Sequence, residues 1–458
     1  MRLNKYLLPI CCIAFFSCKK DKGGSGGGGT AGECAKIVAA APKALDDKRH
    51  VTSSVVVGDK MVFAGGFVTG VYVKNVDIYD TKTRAWSKAT LSEGRSAQVP
   101  LIAGNKLLLT SWEYSPSETY TGFVDVYDAQ SGTWTKATLS EARVRMAMVS
   151  NGNKILFAGG ENKTFVISRK VDIYDAATNA WTQSTLGEAR RSLAVGASGN
   201  KILFAGGIQA NGIYSKKVSI YDTQTGTWDS VNLSEARSNI GVITAGNKVL
   251  FVGGMKSASA VSTVVDIYDV QTKSMSNATL SHTFSSDFAG DALVTAENKV
   301  VIAYYGSRAM DIYDTQTGAW TKKQASADFD ETAPVAAGGK IIFSGSHLAT
   351  GYSTAIDVFD AKTGAWSTAT ISEAREDMGV VASGNKVLFA GGKNNSGTVV
   401  NKIDIYNTDT GEWTSLTLSK TSRHRPFGLA ANDRILLQIA SDTDYSTTID
   451  VFSVEKCN

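Results

Sequence analysis

Val171-Asp172-Ile173-Tyr174-Asp175 decides how this chain is read, because the phrase is not alone. It returns, intact or as a close variant, nine times at intervals of 45 to 48 residues. Its first aspartate is Asp77, Asp125, Asp172, Asp266, Asp311, Asp357, Asp404 and Asp450, with Ser219 in the remaining copy. A fixed period of this length means one supersecondary unit repeated along the chain. Such a body is a scaffold, and activity must sit in the loops that break the repeat.

Around the phrase, residues 144 to 190 make up one unit. Met146 to Val149 is an apolar stretch, followed by a Gly152-Asn153 turn and then Lys154-Ile155-Leu156-Phe157-Ala158-Gly159-Gly160. A polar loop leads to Val171–Asp175, a short turn leads to Trp181, and Thr182 to Leu186 runs into Gly187-Glu188-Ala189-Arg190. Short runs rich in β-branched and aromatic residues, split by Gly, Asn and Asp, read as strands. No helical period appears anywhere in the unit. Each unit is therefore four strands, A to D, in one antiparallel sheet.

A four-stranded sheet repeated at this period is a β-propeller blade, and the chain reads as all-β. Gly-Gly closes strand B at Gly65-Gly66, Gly159-Gly160, Gly206-Gly207, Gly253-Gly254 and Gly391-Gly392. Tyr-Asp closes strand C. Tryptophan opens strand D at Trp86, Trp134, Trp181, Trp228, Trp320, Trp366 and Trp413, with Met275 in one slot. Together these residues resemble a kelch repeat over residues 35 to 458, although units 2, 6, 7 and 9 lack the full Gly-Gly. The aromatic residues are expected to pack between sheets, each worth roughly 2–3 kcal/mol of burial.

The count predicts nine blades, beyond the usual four to eight, with an eight-bladed ring and one displaced unit as the alternative. The last unit supplies strands A to C, Phe427 to Phe452, and stops at Asn458 before its tryptophan. Ala39 to Arg49 aligns with the missing strand D, Leu45 falling on its leucine and Arg49 on its arginine. The N-terminal segment is thus expected to complete the last blade. Cys34 and Cys457 would then meet beside it, and a disulfide between them is expected; closing so long a loop is worth about 4–5 kcal/mol in the chain-entropy account.

The leader is separate from the fold. Arg2 and Lys5 precede an apolar run from Tyr6 to Phe16 that fits a signal peptide and is too short to span a bilayer. Phe15-Phe16-Ser17-Cys18 resembles the lipobox of bacterial lipoproteins, with Phe15 where leucine is usual, which implies lipidation of Cys18. Lys19 to Thr30 is a Gly/Ser-rich flexible tether. The reading is a signal peptide at 1–17, lipidated cysteine and tether at 18–33, and propeller at 34–458, held in the cell envelope as an outer-membrane lipoprotein. A net charge of +4, falling to +2 without Arg2 and Lys5, gives no reason to expect nucleic acid. Four histidines show no metal-ligand spacing, and neither a metal nor a cofactor is expected.

Kelch-type propellers bind partners through the D–A and B–C loops of one face. The D–A junctions here carry Arg49, Arg95, Arg143, Arg190, Arg237, Arg375 and Arg423. Glu93, Glu141, Glu188, Glu235 and Glu373 stand two residues before five of them. A ring of guanidiniums suits a carboxylated or phosphorylated ligand; alternatively each arginine pairs with a glutamate and ties blades together. Phe284 and Phe329 replace the arginine around unit 6, where His282, Asp287, Asp328, Asp330 and Glu331 gather. Arg49-His50 and Arg423-His424-Arg425 make the opposite, closing sector basic. The B–C loops add Phe67, Tyr72, Trp112, Tyr114, Tyr120, Phe165, Tyr214, His347 and Tyr352, suited to sugars or peptide side chains, or to packing on one another.

The leading expectation is a monomeric, lipid-anchored, non-catalytic propeller binding a protein or glycan. The competing one is a sugar isomerase similar to kelch-like mutarotases, working through funnel Arg and Glu residues.

Overall fold

The computed structural model describes residues 35–456 apart from 46–48, 50, 52, 69–70, 95–97, 112–121, 284–291, 329–333, 345–346, 349–350, 422–424 and 441–446. Nine antiparallel sheets, each a four-stranded meander, follow one another along the chain, as the repeat count requires. Blade 3 shows the pattern. Strand A is Ala147–Asn151, B is Lys154–Ala158, C is Lys170–Asp175 and D is Ala180–Thr185. Strand B is buried along its length after Lys154, so it reads as a continuous apolar run. Strand D mixes half-buried and exposed residues, with none fully buried, because it forms the outer edge.

The core is divided into nine apolar clusters, one in each space between successive blades. Between blades 3 and 4, Leu156, Val171 and Ile173 of one sheet meet Ile202, Phe204 and Tyr221 of the next, with Trp228 packed against them. The repeated aromatic pair is a cross-strand pair: Tyr174 faces Trp181 in the register, their rings 5.1 Å apart. Met275 takes the tryptophan slot opposite Tyr268. Gly159, at φ +66, accommodates a close approach: a β-carbon there would lie 2.3 Å from the Arg190 carbonyl of the next junction.

Blade 9 is built from both ends of the chain. Thr447–Lys456 pairs with Ala35–Ala39, Ala35 opposite Lys456 and Ala39 opposite Phe452, and Lys43–Ala44 pairs with Ile449 and Thr448. Between the two segments Pro42, which has no N–H, interrupts the ladder. The outer strand therefore begins earlier than the alignment from Ala39 expects, while Leu45 stands where expected. Its N–H donates to Thr447 O at 2.9 Å, as that of Leu186 does to Arg169 O at 2.7 Å. Leu45 then joins Val51, Phe63, Tyr79 and Leu436 in the cluster between blades 9 and 1, so the ring is closed by apolar packing as well as by strand pairing. Cys34 and Cys457 lie outside the described residues.

Candidate functional site

A meander of this kind puts B–C loops and D–A junctions on one face and A–B and C–D turns on the other. Most turns on the other face share one scheme. Asp222 accepts Lys201, Asn200 Nδ2 and the N–H groups of Gln224 and Thr225, which closes the C–D turn. Its counterpart Asp314 is held down to about 2 by the Lys299 hydrogen bond, against the desolvation of its partly buried site. This turn chemistry recurs from blade to blade and leaves its carboxylates engaged.

On the loop face the described junction arginines are buried, not displayed. Arg49, Arg143, Arg190, Arg237 and Arg375 are each at most 3% exposed. Arg143 Nη1 donates to Gly159 O at 2.8 Å and Lys170 O at 2.7 Å, while Nη2 donates to Asp172. Arg237 binds Gly253 O and Val264 O, and Asp266; Arg375 binds Gly391 O and Lys402 O, and Asp404. Arg49 reaches Asp77 at 2.6 Å across the closing junction. Each guanidinium thus pins the end of one blade to strands B and C of the next. Burial pushes Arg143, Arg237 and Arg375 downward, opposed by Asp172, Asp266 and Asp404. These arginines do not form an open guanidinium ring, and Arg49 adds no exposed charge to the closing sector.

The short contact across the Arg49, Arg143, Arg237 and Arg375 junctions is to the aspartate of the repeated phrase. The glutamate two residues away lies further off, Glu188 at 3.9 Å from Arg190 Nε and Glu235 at 3.8 Å from Arg237 Nε. The glutamates also hold the B–C loop. Glu141 accepts Ser168 Oγ at 2.7 Å and Asn162 Nδ2 at 3.4 Å, and Glu188 accepts Gln209 Nε2 at 2.8 Å. The junction serine completes the aspartate: Ser140 N donates to Asp172 Oδ1 at 3.0 Å.

Other junctions depart from this scheme. Arg190 meets Ser219 Oγ at 2.8 Å where its sisters meet a carboxylate, and burial pushes it down to about 10. Around unit 6, Tyr304 occupies the first glycine position and its hydroxyl donates to Asp311, which also accepts Ser281 N and Oγ. His282 is exposed, its ring 5.2 Å from that of Tyr304. Asp328 pairs with Arg308 at 3.2 Å. The role of Tyr304 had a signal in the sequence, since it departs from Gly-Gly in the unit that loses its arginine to Phe284. His50, Arg95, Phe284, Phe329, Arg423, His424, Trp112 and Tyr114 lie outside the described residues, as does Cys18.

Apolar groups also stand on the loop face. Phe67 and Tyr72 pack on each other at 5.4 Å across a short hairpin. Val71, Phe165, Val166, Ile213 and Tyr305 are exposed on B–C loops, Phe165 by 67%. Among the described residues, no group of three or more His, Cys, Asp or Glu is placed to hold a metal ion.

Against this geometry, comparison with protein families finds the KLHDC2/KLHL20/DRC7 Kelch-repeats domain at residues 145–332 and the Kelch motif at 49–90 and 374–417. The chain therefore contains kelch repeats. No curated protein matches it. Among solved structures it is similar to that of YjhT, with a TM-score of 0.38 and 14% identity over 70% of this chain and 97% of the other. It is also similar to the computationally designed Ika8 protein, with a TM-score of 0.45 and 13% identity over 77% and 95% of the two chains.

Proposed function

We propose that this kelch-repeat propeller is a lipid-anchored, extracytoplasmic binding protein that holds a protein or glycan on its loop face. One observation carries the reading. Among the described residues, the large exposed hydrophobics are Val71, Phe165, Val166, Ile213, Tyr305 and Phe427. The first five lie on B–C loops and Phe427 opens strand A of blade 9, so all six stand at the loop end of the sheets. Apolar side chains gathered on one face, over a scaffold whose described junction arginines are already hydrogen-bonded, suit an interaction surface. Fold alone would not support this step.

A sugar isomerase working through funnel arginines draws no support from Arg143, Arg190, Arg237 or Arg375, whose terminal nitrogens are hydrogen-bonded within buried junctions. Screening the purified chain against glycan arrays and by protein pull-down tests the binding reading. Sugar turnover abolished by Arg→Ala at a junction, in a protein that still melts cooperatively, would overturn it. The anchor is tested separately. Incorporation of a labelled fatty acid should be lost on Cys18→Ser, and unchanged labelling would refute lipidation at that residue. Disulfide formation between Cys34 and Cys457 belongs to the same envelope reading. Peptide mapping without reductant should recover the two termini as one linked fragment, and two free thiols in folded protein would reject it.

A further inference from the structure

The repeat supplies its own controls, and blade 3 departs from them in one loop. The B–C loops of blades 3, 4, 5 and 8 share a backbone closure: Asn162 N to Val166 O, Gln209 N to Ile213 O, Lys256 N to Ala260 O, and Asn394 N to Thr398 O. In blades 3 and 8 the turn is further held by the Asn162 or Asn394 side chain, which accepts two N–H groups from within the loop. The position just before the closing residue has φ +74 at Gly212 and φ +79 at Gly397. Blade 3 places Phe165 there at φ +60, a conformation that bulky residues avoid. That same phenylalanine is 67% exposed, beside the exposed Val166. A glycine would serve the turn, and nothing in the fold is gained by the ring.

The base of this loop departs as well. Glu161 is only 3% exposed and bridges Val144 and Ile167; its counterparts in blades 4 and 5 are the apolar Ile208 and Met255. Two arginines converge on its carboxylate, Arg145 Nη1 at 3.0 Å from Oε1 and Arg191 Nε at 3.2 Å from Oε2. Two cations on one anion leave a surplus positive charge, and the Arg145 side chain is still 44% exposed. Counterparts of these arginines in other blades are Ser192 and Asn239 for the first, Val144 and Ser238 for the second. Lys163, exposed in the turn itself, adds another positive charge. Tip and base are four residues apart, at most about 14 Å, within the span of a short extended peptide.

We propose, on the reading of the loop face as a binding surface, that the blade 3 loop docks an acidic peptide segment of a partner protein. An apolar side chain of that segment sits on Phe165 and Val166, and a neighbouring carboxylate is held by Arg145 and Arg191. The charge surplus favours this occupant over a neutral sugar, and a rigid aromatic group beside guanidiniums is the composition of an interface anchor.

Selection of short random peptides on the purified full chain, followed by anisotropy titration of the best binders, tests the assignment. The selected peptides should join Asp or Glu to a large apolar residue, and their binding should weaken as salt is raised. Phe165→Gly and Arg145→Ser introduce residues that sister blades carry, so the fold should survive, with Tm unchanged or higher for Phe165→Gly. Each should weaken binding about tenfold or more. Selection of neutral or basic peptides, or affinity that survives both substitutions, overturns the proposal while leaving a loop-face binder intact. Glycan binding lost in Phe165→Gly overturns the peptide occupant alone. Failure of every peptide, protein and glycan removes the wider reading as well.

Discussion

Arg190 and Arg237 occupy the same place in successive junctions, both are fully buried and each has a glutamate carboxylate just under 4 Å from Nε, yet only Arg237 also meets an aspartate. Both keep two backbone carbonyls, Gly206 and Lys217 for the first, Gly253 and Val264 for the second. The difference shows which part of the junction the fold requires. The fork of N–H donors that reaches two strands is retained, whereas the carboxylate is exchangeable for a hydroxyl.

The largest effect should come from breaking the paired junction. Asp266→Ala leaves buried Arg237 with only Glu235, 3.8 Å from its Nε, as counter-charge and should cost about 3 kcal/mol in chemical denaturation. Asp266→Ser copies its neighbour and should cost clearly less, because the hydroxyl still accepts the guanidinium. Equal losses for the two would mean that charge, not hydrogen bonding, holds the junction. In the opposite direction, Ser219→Asp gives Arg190 the carboxylate its sisters have. It should stabilise by roughly 1–2 kcal/mol, the scale of a hydrogen bond to a charged group. No gain would show that the Arg190 junction has adapted to its hydroxyl.

Unit 6 extends the comparison, since a tyrosine hydroxyl there reaches the aspartate that an arginine reaches elsewhere. Tyr304→Phe removes that donor from Asp311, which keeps Ser281 N and Oγ. A loss of about 1 kcal/mol is expected in the same denaturation assay. A neutral result would make Tyr304 a space-filler in the blade 5–6 cluster and nothing more.

The fold was open to reading because its determinants are local and repeated: the strand periodicity, the Gly-Gly bend, the Tyr–Trp pair and the complementary ends all lie within single units. The junction chemistry was only half open. The arginines repeat visibly, but their partners lie 29 residues further on, across two strands and a loop. The glutamate two residues away in sequence is a more distant second partner, just under 4 Å at Arg190 and Arg237, whose carboxylate also holds the loop. Sequence spacing reveals the nearer acid in the chain but not the closer one in space, which a strand pairing delivers. Phe165 was visible as a loop aromatic, but its cost was not, since the glycine conformation it adopts appears only in the backbone.

The turn face supplies the smallest and most distributed effect. Lys299 holds Asp314 down to about 2, below its ordinary value of 3.8. A carboxylate lowered on folding contributes stability that is fully present above the unfolded value and is lost as pH falls through the folded one. For Asp314 that window runs from about pH 4 down to about pH 2, with a slope of at most 1.4 kcal/mol per pH unit for each such group. In blade 7 the equivalent Lys340 donates to the Thr408 carbonyl of blade 8, which does not titrate. Lys299→Met should therefore flatten the acid unfolding profile in that window, whereas Lys340→Met, which removes a lysine that lowers Asp360 only through space, should flatten it less and lower stability across the pH range. Parallel shifts from both variants would show that the two lysines serve the same purpose, and that the turn face is held by donor geometry and not by its charges.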